Sequence, residues 1–148
     1  MNVRDVLDEK VIDLEMKASD KKEAITYLAG KLKEAGYIAD VDSYVEDIYY
    51  RESQGHTGIG NYIAIPHGKS DSVTQVGIAI GKVEKEIEWE TLDGNGVKLI
   101  FLFAVGNDNE NAKTHLRLLA EVARKLGNDE AVEKLLSAKT VEDLKAVF

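Results

Sequence analysis

Hydrophobic and polar residues along this chain alternate with two different periods, and the period separates predicted strands from predicted helices. Residues 12–16 alternate between apolar and charged side chains, which predicts a half-buried strand. Helical spacing of the apolar residues follows behind an Asp20 and Glu23 capping pattern and stops at Gly36. We therefore expect a strand followed by a helix in the first quarter of the chain.

A second helix and a glycine-rich segment are predicted next. Ser43 and Glu46 repeat the capping pattern, and the apolar residues behind them predict a helix that runs to about Glu52. This helix should deliver Arg51 at its C-terminal end. Residues 55–60, with the sequence GHTGIG, are typical of a loop.

A short apolar run then ends at Pro66, which is the only proline in the chain. Residues 62–65 predict a strand, and proline has no N–H to donate, so we expect the ladder of hydrogen bonds to end at Ile65. His67 is thereby predicted just past the end of a strand.

The second half of the chain alternates between predicted strands and helices. Residues 76–81 predict a strand with one face of small residues, and residues 87–89 indicate a further short strand. Residues 97–105 predict a central strand buried on both faces, because the apolar run is continuous. The clearest helix is predicted at 111–126, with His115 on its apolar face. Two shorter helices are predicted at 129–137 and 141–148.

This interleaving predicts one α/β domain that spans residues 1–148, with a mixed β-sheet of about four to six strands flanked by α-helices. In such sheets ligands bind beyond the strand ends, which is where His67 is expected.

Composition and charge exclude several classes of function. The 148 residues contain no cysteine, which rules out a disulfide scaffold, a thiol nucleophile and a cysteine-ligated metal. A formal net charge of −8 argues against a nucleic-acid partner or an anionic membrane surface. No apolar run is long enough for membrane insertion, and the first residues do not resemble a signal peptide, so we expect a cytoplasmic protein.

Two segments resemble phosphate-binding loops but do not fit them. Gly68-Lys69-Ser70 resembles the end of a Walker A loop, yet Ile63 stands where that loop needs its first glycine. Gly58-Ile59-Gly60 could begin a dinucleotide fingerprint, but Ile63 again replaces a required glycine, and the loop precedes a strand. We expect no nucleotide site and no bound cofactor.

The chain has three histidines, and they differ in their predicted surroundings. His56 lies in a polar loop and is interpreted as a solvated residue. His115 is either a core histidine with a satisfied hydrogen bond or a functional one. His67, with its backbone fixed by Pro66, is the best candidate nucleophile. Metal binding is the weaker interpretation, because no third ligand stands at a recognised spacing.

The segment RESQGHTGIGNYIAIPHGK, residues 51–69, resembles the signature of the fructose/mannitol-type IIA components of the bacterial phosphoenolpyruvate-dependent sugar phosphotransferase system. The family's R-E pair, T-G-I-G loop and I-A-I-P-H end are all present, and His115-Leu116 matches its later His-Leu pair. Tyr62 departs from the pattern, since the family often has glycine there.

This resemblance implies a phosphocarrier. His67 matches the histidine that accepts a phosphoryl group from the histidine-containing phosphocarrier protein, HPr, and passes it to a cysteine of a IIB component. Arg51 is then expected to bind the phosphoryl group, Thr57 is a weaker candidate for the same role, and His115 should orient His67 or contact the phosphate. Amides of Gly58–Gly60 are further candidate donors.

Two other functions remain open from the sequence. Relatives of this family include nitrogen-related regulators, in which the phosphorylation of the histidine controls protein binding and no sugar is moved. Histidine-based hydrolysis is the third possibility and ranks last, because no obvious serine or aspartate partner lies near His67 in the motif, although Asp71 is close in sequence.

Overall fold

The computed structural model describes residues 2–148 except for the side chain of Asn109. It shows a six-stranded mixed sheet with helices on both faces. The elements in chain order are α1 (Val3–Val6), a 3-10 turn (Glu9–Val11), β1 (Ile12–Asp13), α2 (Lys21–Glu34), α3 (Val41–Glu52), β2 (Gly58–Gly60), β3 (Ile63–Ala64), β4 (Lys69–Ser70), β5 (Gly77–Ile87), β6 (Val97–Gly106), α4 (Asn109–Leu126), α5 (Asp129–Ser137) and α6 (Val141–Lys145).

The sheet is organised around β6. Its strand order is β1-β5-β6-β3-β2, and β4 also pairs with β6. The β5–β6 and β2–β3 pairs are antiparallel, whereas β1 runs parallel to β5, and β3 and β4 run parallel to β6. The predicted α/β class with a mixed sheet of four to six strands is therefore confirmed.

Two hydrophobic cores lie on opposite faces of the sheet, and β6 contributes to both. Leu99 and Phe101 belong to the core shared with α4, while Ile100 and Leu102 belong to the core shared with α2 and α3. Successive side chains of a strand point to opposite faces, so a strand covered on both sides must be apolar at every position. The prediction of a strand buried on both faces is confirmed.

Several predicted boundaries are wrong. The cap of α3 is Asp40, whose side chain accepts from the Ser43 N–H, so Ser43 lies inside the helix. The helix that carries His115 begins at Asn109, two residues earlier than predicted, because Asp108 caps it. Part of the predicted glycine loop is strand β2.

Other strand and helix ends also differ from the prediction. The first strand is reduced to Ile12–Asp13, residue Ile87 is the end of β5 and not a separate strand, and the final helix ends at Lys145. The short α1 and the 3-10 turn were not predicted, since a single turn carries too little periodicity to be detected.

The small-residue face predicted near the start of β5 allows close packing. A Cβ atom added to Gly77 would lie 2.5 Å from the ring of Tyr37, and one added to Gly81 would lie 2.6 Å from Met16 Sδ. The predicted close approach of another element to this face is confirmed. Among residues 2–148, no helix has both the length and the apolar character needed to cross a membrane.

Candidate functional site

His67 lies in a short segment that connects β3 to β4 along the same edge of β6. The carbonyl of Pro66 accepts a hydrogen bond from the Phe103 N–H at 3.0 Å, and β4 then pairs with β6 from Lys69 onward. The prediction that pairing ends at Ile65 is therefore wrong, because proline lacks an N–H but keeps its acceptor. His67 is held between two points of attachment to the central strand.

One hydrogen bond fixes the state of the His67 imidazole. Its Nδ1 lies 2.8 Å from the Ile65 carbonyl oxygen, which can only accept, so Nδ1 carries the proton. Burial lowers the pKa of His67 below its ordinary value, and the Arg51 charge lowers it further, against the opposing effects of the Ile65 hydrogen bond and Glu52. The ring is neutral at pH 7 and its lone pair is on Nε2.

Nε2 of His67 is available to a reaction partner. It forms no hydrogen bond with the described residues. Because it is also not one of the buried polar atoms without a partner, it must be accessible to solvent. A neutral, oriented and accessible ring nitrogen is what a histidine nucleophile requires.

A cavity of about 490 Å³ brings His67 and Arg51 together. The Arg51 guanidinium donates to the Gly55 carbonyl at 3.3 Å, and no carboxylate of residues 2–148 lies within 4.0 Å of it. It retains donors for a phosphate oxygen pair. The other lining residues are Asp47, Tyr50, Gln54, Gly68, Lys69, Val105, Asn107 and Leu116.

Thr57 and the glycines that follow it do not line this cavity. The Thr57 side chain is buried, and its hydroxyl donates to Glu52 Oε1. Gly58 pairs with Ala64 of β3 and also bridges Thr91. The structure therefore does not bring Thr57 or the Gly58–Gly60 amides to the position that the resemblance implied for them.

His115 lies in an adjoining cavity. It is buried, its Nδ1 accepts from the Gly106 N–H at 2.8 Å, and the proton of the neutral ring is therefore on Nε2. Burial lowers the pKa of His115, and the nearby charge of Asp108 opposes this shift. The cavity of His115 measures about 610 Å³, and Asn107 lines both cavities.

Sequence reasoning singled out His56 correctly as an exposed loop residue but missed residues around His67. Tyr50 and Leu116 line the cavity and are 70% and 38% exposed, which no periodic pattern indicates. Glu52 was visible as the second residue of the R-E pair, although its contacts could not be anticipated. Among the described residues, no group of three or more His, Asp or Glu is placed to hold a metal ion.

The model of one protein family matches residues 5–148, and its description is phosphoenolpyruvate-dependent sugar phosphotransferase system, EIIA 2. The chain belongs to this family. This EIIA chain is 36% identical to the mannitol-specific phosphotransferase enzyme IIA component of Bacillus subtilis over 146 residues, which cover 97% of the chain and 96% of that protein.

Two multidomain relatives are much longer. They are the 2-O-alpha-mannosyl-D-glycerate-specific EIIABC component of Escherichia coli, 32% identical over 97% of the chain, and the fructose-specific EIIABC component of B. subtilis, 35% identical over 95%. The EIIA chain spans 22% of the length of each.

Solved structures share the EIIA fold. The nitrogen regulatory protein IIA-Ntr of Neisseria meningitidis superposes with a TM-score of 0.86 at 27% identity, over 98% of this chain and 97% of that one. The E. coli IIA mannitol domain in complex with phosphorylated IIB superposes with a TM-score of 0.78 at 22% identity, over 95% and 94%. The chain is thus a phosphotransferase-system EIIA domain.

Proposed function

We propose that His67 accepts a phosphoryl group on Nε2 from phospho-HPr and passes it to a cysteine of a IIB component during sugar uptake of the fructose/mannitol type, in the cytoplasm. The observation that carries the proposal is the neutral imidazole, with Nδ1 bonded to Ile65 and Nε2 accessible, in the same cavity as Arg51. The match to mannitol- and fructose-specific relatives supports the sugar class.

Each transfer step balances in bonds and charge. The Nε2 lone pair attacks phosphorus while the bond from phosphorus to the donor nitrogen breaks and returns its electron pair to that nitrogen. The Nδ1 proton stays on His67, so the phosphorylated ring carries one positive charge beside the negative phosphoryl oxygens. In the second step a thiolate of the acceptor attacks phosphorus, and the bond to Nε2 breaks to restore the neutral ring. Phosphoryl transfer needs mainly alignment and charge stabilisation, which Arg51 supplies to the oxygens.

His115 and Thr57 have different parts in this proposal. His115 holds an Nε2–H donor in the adjoining cavity. Its proposed role is to bond the phosphoryl group on His67 or to orient a residue that holds this group. Thr57 does not bind the phosphoryl group in this proposal, because its hydroxyl donates to Glu52. Arg51 is the principal phosphate ligand.

The test is to incubate the protein with phosphoenolpyruvate, enzyme I and HPr, and to locate the phosphoryl group by ¹⁵N and ³¹P NMR. We expect one phosphohistidine, at Nε2 of His67, which is lost in His67→Ala and retained in the matched control His56→Ala. Label on another residue of His67→Ala, or phosphorylation at Nδ1, would contradict the proposal.

A regulatory function is the second candidate, since the N. meningitidis nitrogen regulatory protein is a structural neighbour with 27% identity. The two functions differ in the fate of the phosphoryl group. Adding a IIB component should discharge phospho-His67 if the chain is a transport carrier, and a IIB variant with serine in place of its cysteine should not. A phosphoryl group that persists with cognate IIB favours the regulatory role.

A further inference from the structure

Three hydrogen bonds in sequence connect the end of α3 to the imidazole of His67. Glu52, the residue after Arg51, accepts from the Thr57 hydroxyl. The Thr57 carbonyl accepts from the Ile65 N–H at 2.9 Å, and the Ile65 carbonyl accepts from His67 Nδ1 at 2.8 Å. The two groups that must meet the phosphoryl group lie on different elements, and this chain of bonds joins those elements.

The Glu52 carboxylate, at one end of these three hydrogen bonds, is held at both of its oxygens. The Glu52 side chain is only 5% exposed. Its Oε2 lies 3.0 Å from Lys21 Nζ, while its Oε1 accepts the hydrogen bond of the Thr57 hydroxyl. Lys21 also pairs with Glu90 at 3.0 Å and lies 5.0 Å from the centre of the Trp89 ring. Burial lowers the pKa of Lys21, but its hydrogen bonds to the two carboxylates outweigh burial and raise it, so Lys21 stays charged.

We propose that Glu52 is a positioning residue for phosphoryl transfer, which sets the placement of Arg51 relative to His67 through the Thr57 hydroxyl. This inference rests on the proposed function of His67. In this inference the Thr57 side chain holds α3 against the segment before His67 and does not bind the phosphate. Neither side chain lines the cavity of His67, so neither one contacts a bound partner there.

Loss of this chain of bonds should affect catalysis and not partner binding. Transfer requires an aligned nucleophile, phosphorus and guanidinium, and a displacement of about 1 Å in such a site costs on the order of a hundredfold in rate. Binding of HPr uses exposed surface that the buried Glu52 does not reach. The expected signature is a lower kcat with an unchanged KM for phospho-HPr.

The experiment compares four variants in the transfer reaction from phospho-HPr. Thr57→Val removes the hydroxyl at nearly constant size, Glu52→Gln keeps the shape but not the charge, and Thr57→Ser restores the donor. The matched control is Thr140→Val, since the Thr140 hydroxyl caps α6 far along the chain and accepts from the Asp143 N–H at 3.1 Å. Loss of a cap destabilises the fold without touching the chain of bonds.

We expect kcat to fall roughly tenfold to a hundredfold in Thr57→Val and Glu52→Gln. Thr57→Ser should recover most of it, and Thr140→Val should transfer like the parent. NMR of the unphosphorylated protein gives an independent readout: His67 should be almost wholly the Nδ1–H tautomer in the parent. In Thr57→Val the backbone bond from Ile65 to Thr57 remains, but residue 57 is no longer bonded to Glu52, so the Ile65 carbonyl should shift and the share of the other tautomer should rise.

The outcomes separate this inference from the proposed function. If the parent is not phosphorylated on His67, the proposed function fails, whatever the variants do. If the parent is phosphorylated there but Thr57→Val keeps a normal kcat and a single tautomer, only the positioning role fails. An equal loss of kcat in Thr140→Val would reduce the effect to general stability and overturn the inference.

Discussion

Gly68, next to His67, is expected to be a position at which one added methyl group disturbs both stability and transfer. A Cβ atom there would lie 2.9 Å from the carbonyl oxygen of Asp47 and 3.3 Å from its carbonyl carbon. This is roughly half an ångström closer than ordinary van der Waals contact, and the neighbour is helix backbone, which cannot rotate away. Gly68→Ala must therefore push α3 away from β4.

The magnitude follows from the costs of overpacking. Such insertions destabilise by about 1–3 kcal/mol. Unfolding entropy of about 2.1 cal/mol/K per residue gives roughly 310 cal/mol/K for 148 residues, so the melting temperature should fall by about 3–10 °C. Because α3 carries Arg51, the same displacement separates the guanidinium from His67, and transfer should slow by about tenfold or more.

The assay is a thermal melt followed by circular dichroism, with the rate of phosphorylation by phospho-HPr measured on the same samples. Gly30→Ala is the matched control, since a Cβ atom at Gly30, inside α2, meets nothing within 4 Å. It should raise stability by about 0.5–1 kcal/mol and leave transfer unchanged. If Gly68→Ala melts at or above the temperature of the parent, the packing argument is refuted.

Three further predictions concern the reacting groups. Arg51→Lys should slow transfer although the charge is kept, because an ammonium group cannot form the two parallel hydrogen bonds that a guanidinium forms with two phosphate oxygens. A rate equal to that of the parent would show that charge alone matters. Burial places the pKa of His67 below its model-compound value of 6.5, so acceptance of phosphate should be constant above pH 7 and fall only at a lower pH, as the ring becomes protonated; a rate profile with its midpoint above 6.5 would contradict this. His115→Ala should slow transfer by about 10²–10³ without unfolding the protein, whereas a purely structural His115 would lower the melting temperature at nearly normal rate.

The start of α4 decides whether the helix dipole acts on His115. A helix that begins near residue 111 would place His115 close to the positive end of the dipole. Because α4 begins at Asn109, His115 is the seventh residue, beyond the first turn where the dipole acts. Its neutral state instead follows from burial, and the Gly106 N–H fixes its tautomer.

The sequence determined those features that depend on local interactions. The continuous apolar run predicted β6 because side-chain direction in a strand repeats every two residues, and the alternation at residues 12–16 located β1, although only Ile12–Asp13 form it. Asp20 predicted the start of α2, since a cap bonds to a backbone N–H three residues away, and it does so at Glu23. Pro66 also marked the segment that carries His67 just after β3, but pairing with β6 does not end there, because the Pro66 carbonyl still accepts from the Phe103 N–H.

The tertiary structure decided which residues far apart in the sequence come into contact. The ion pair of Lys21 with Glu52 joins residues 31 apart, and Thr57 is directed to that carboxylate and not to the cavity. The cavity itself combines His67 with Arg51, while His115 lines the adjoining one. No spacing along the chain contains this information, because these contacts arise only when β6 brings β3, β4 and α4 together and the helices pack on its two faces.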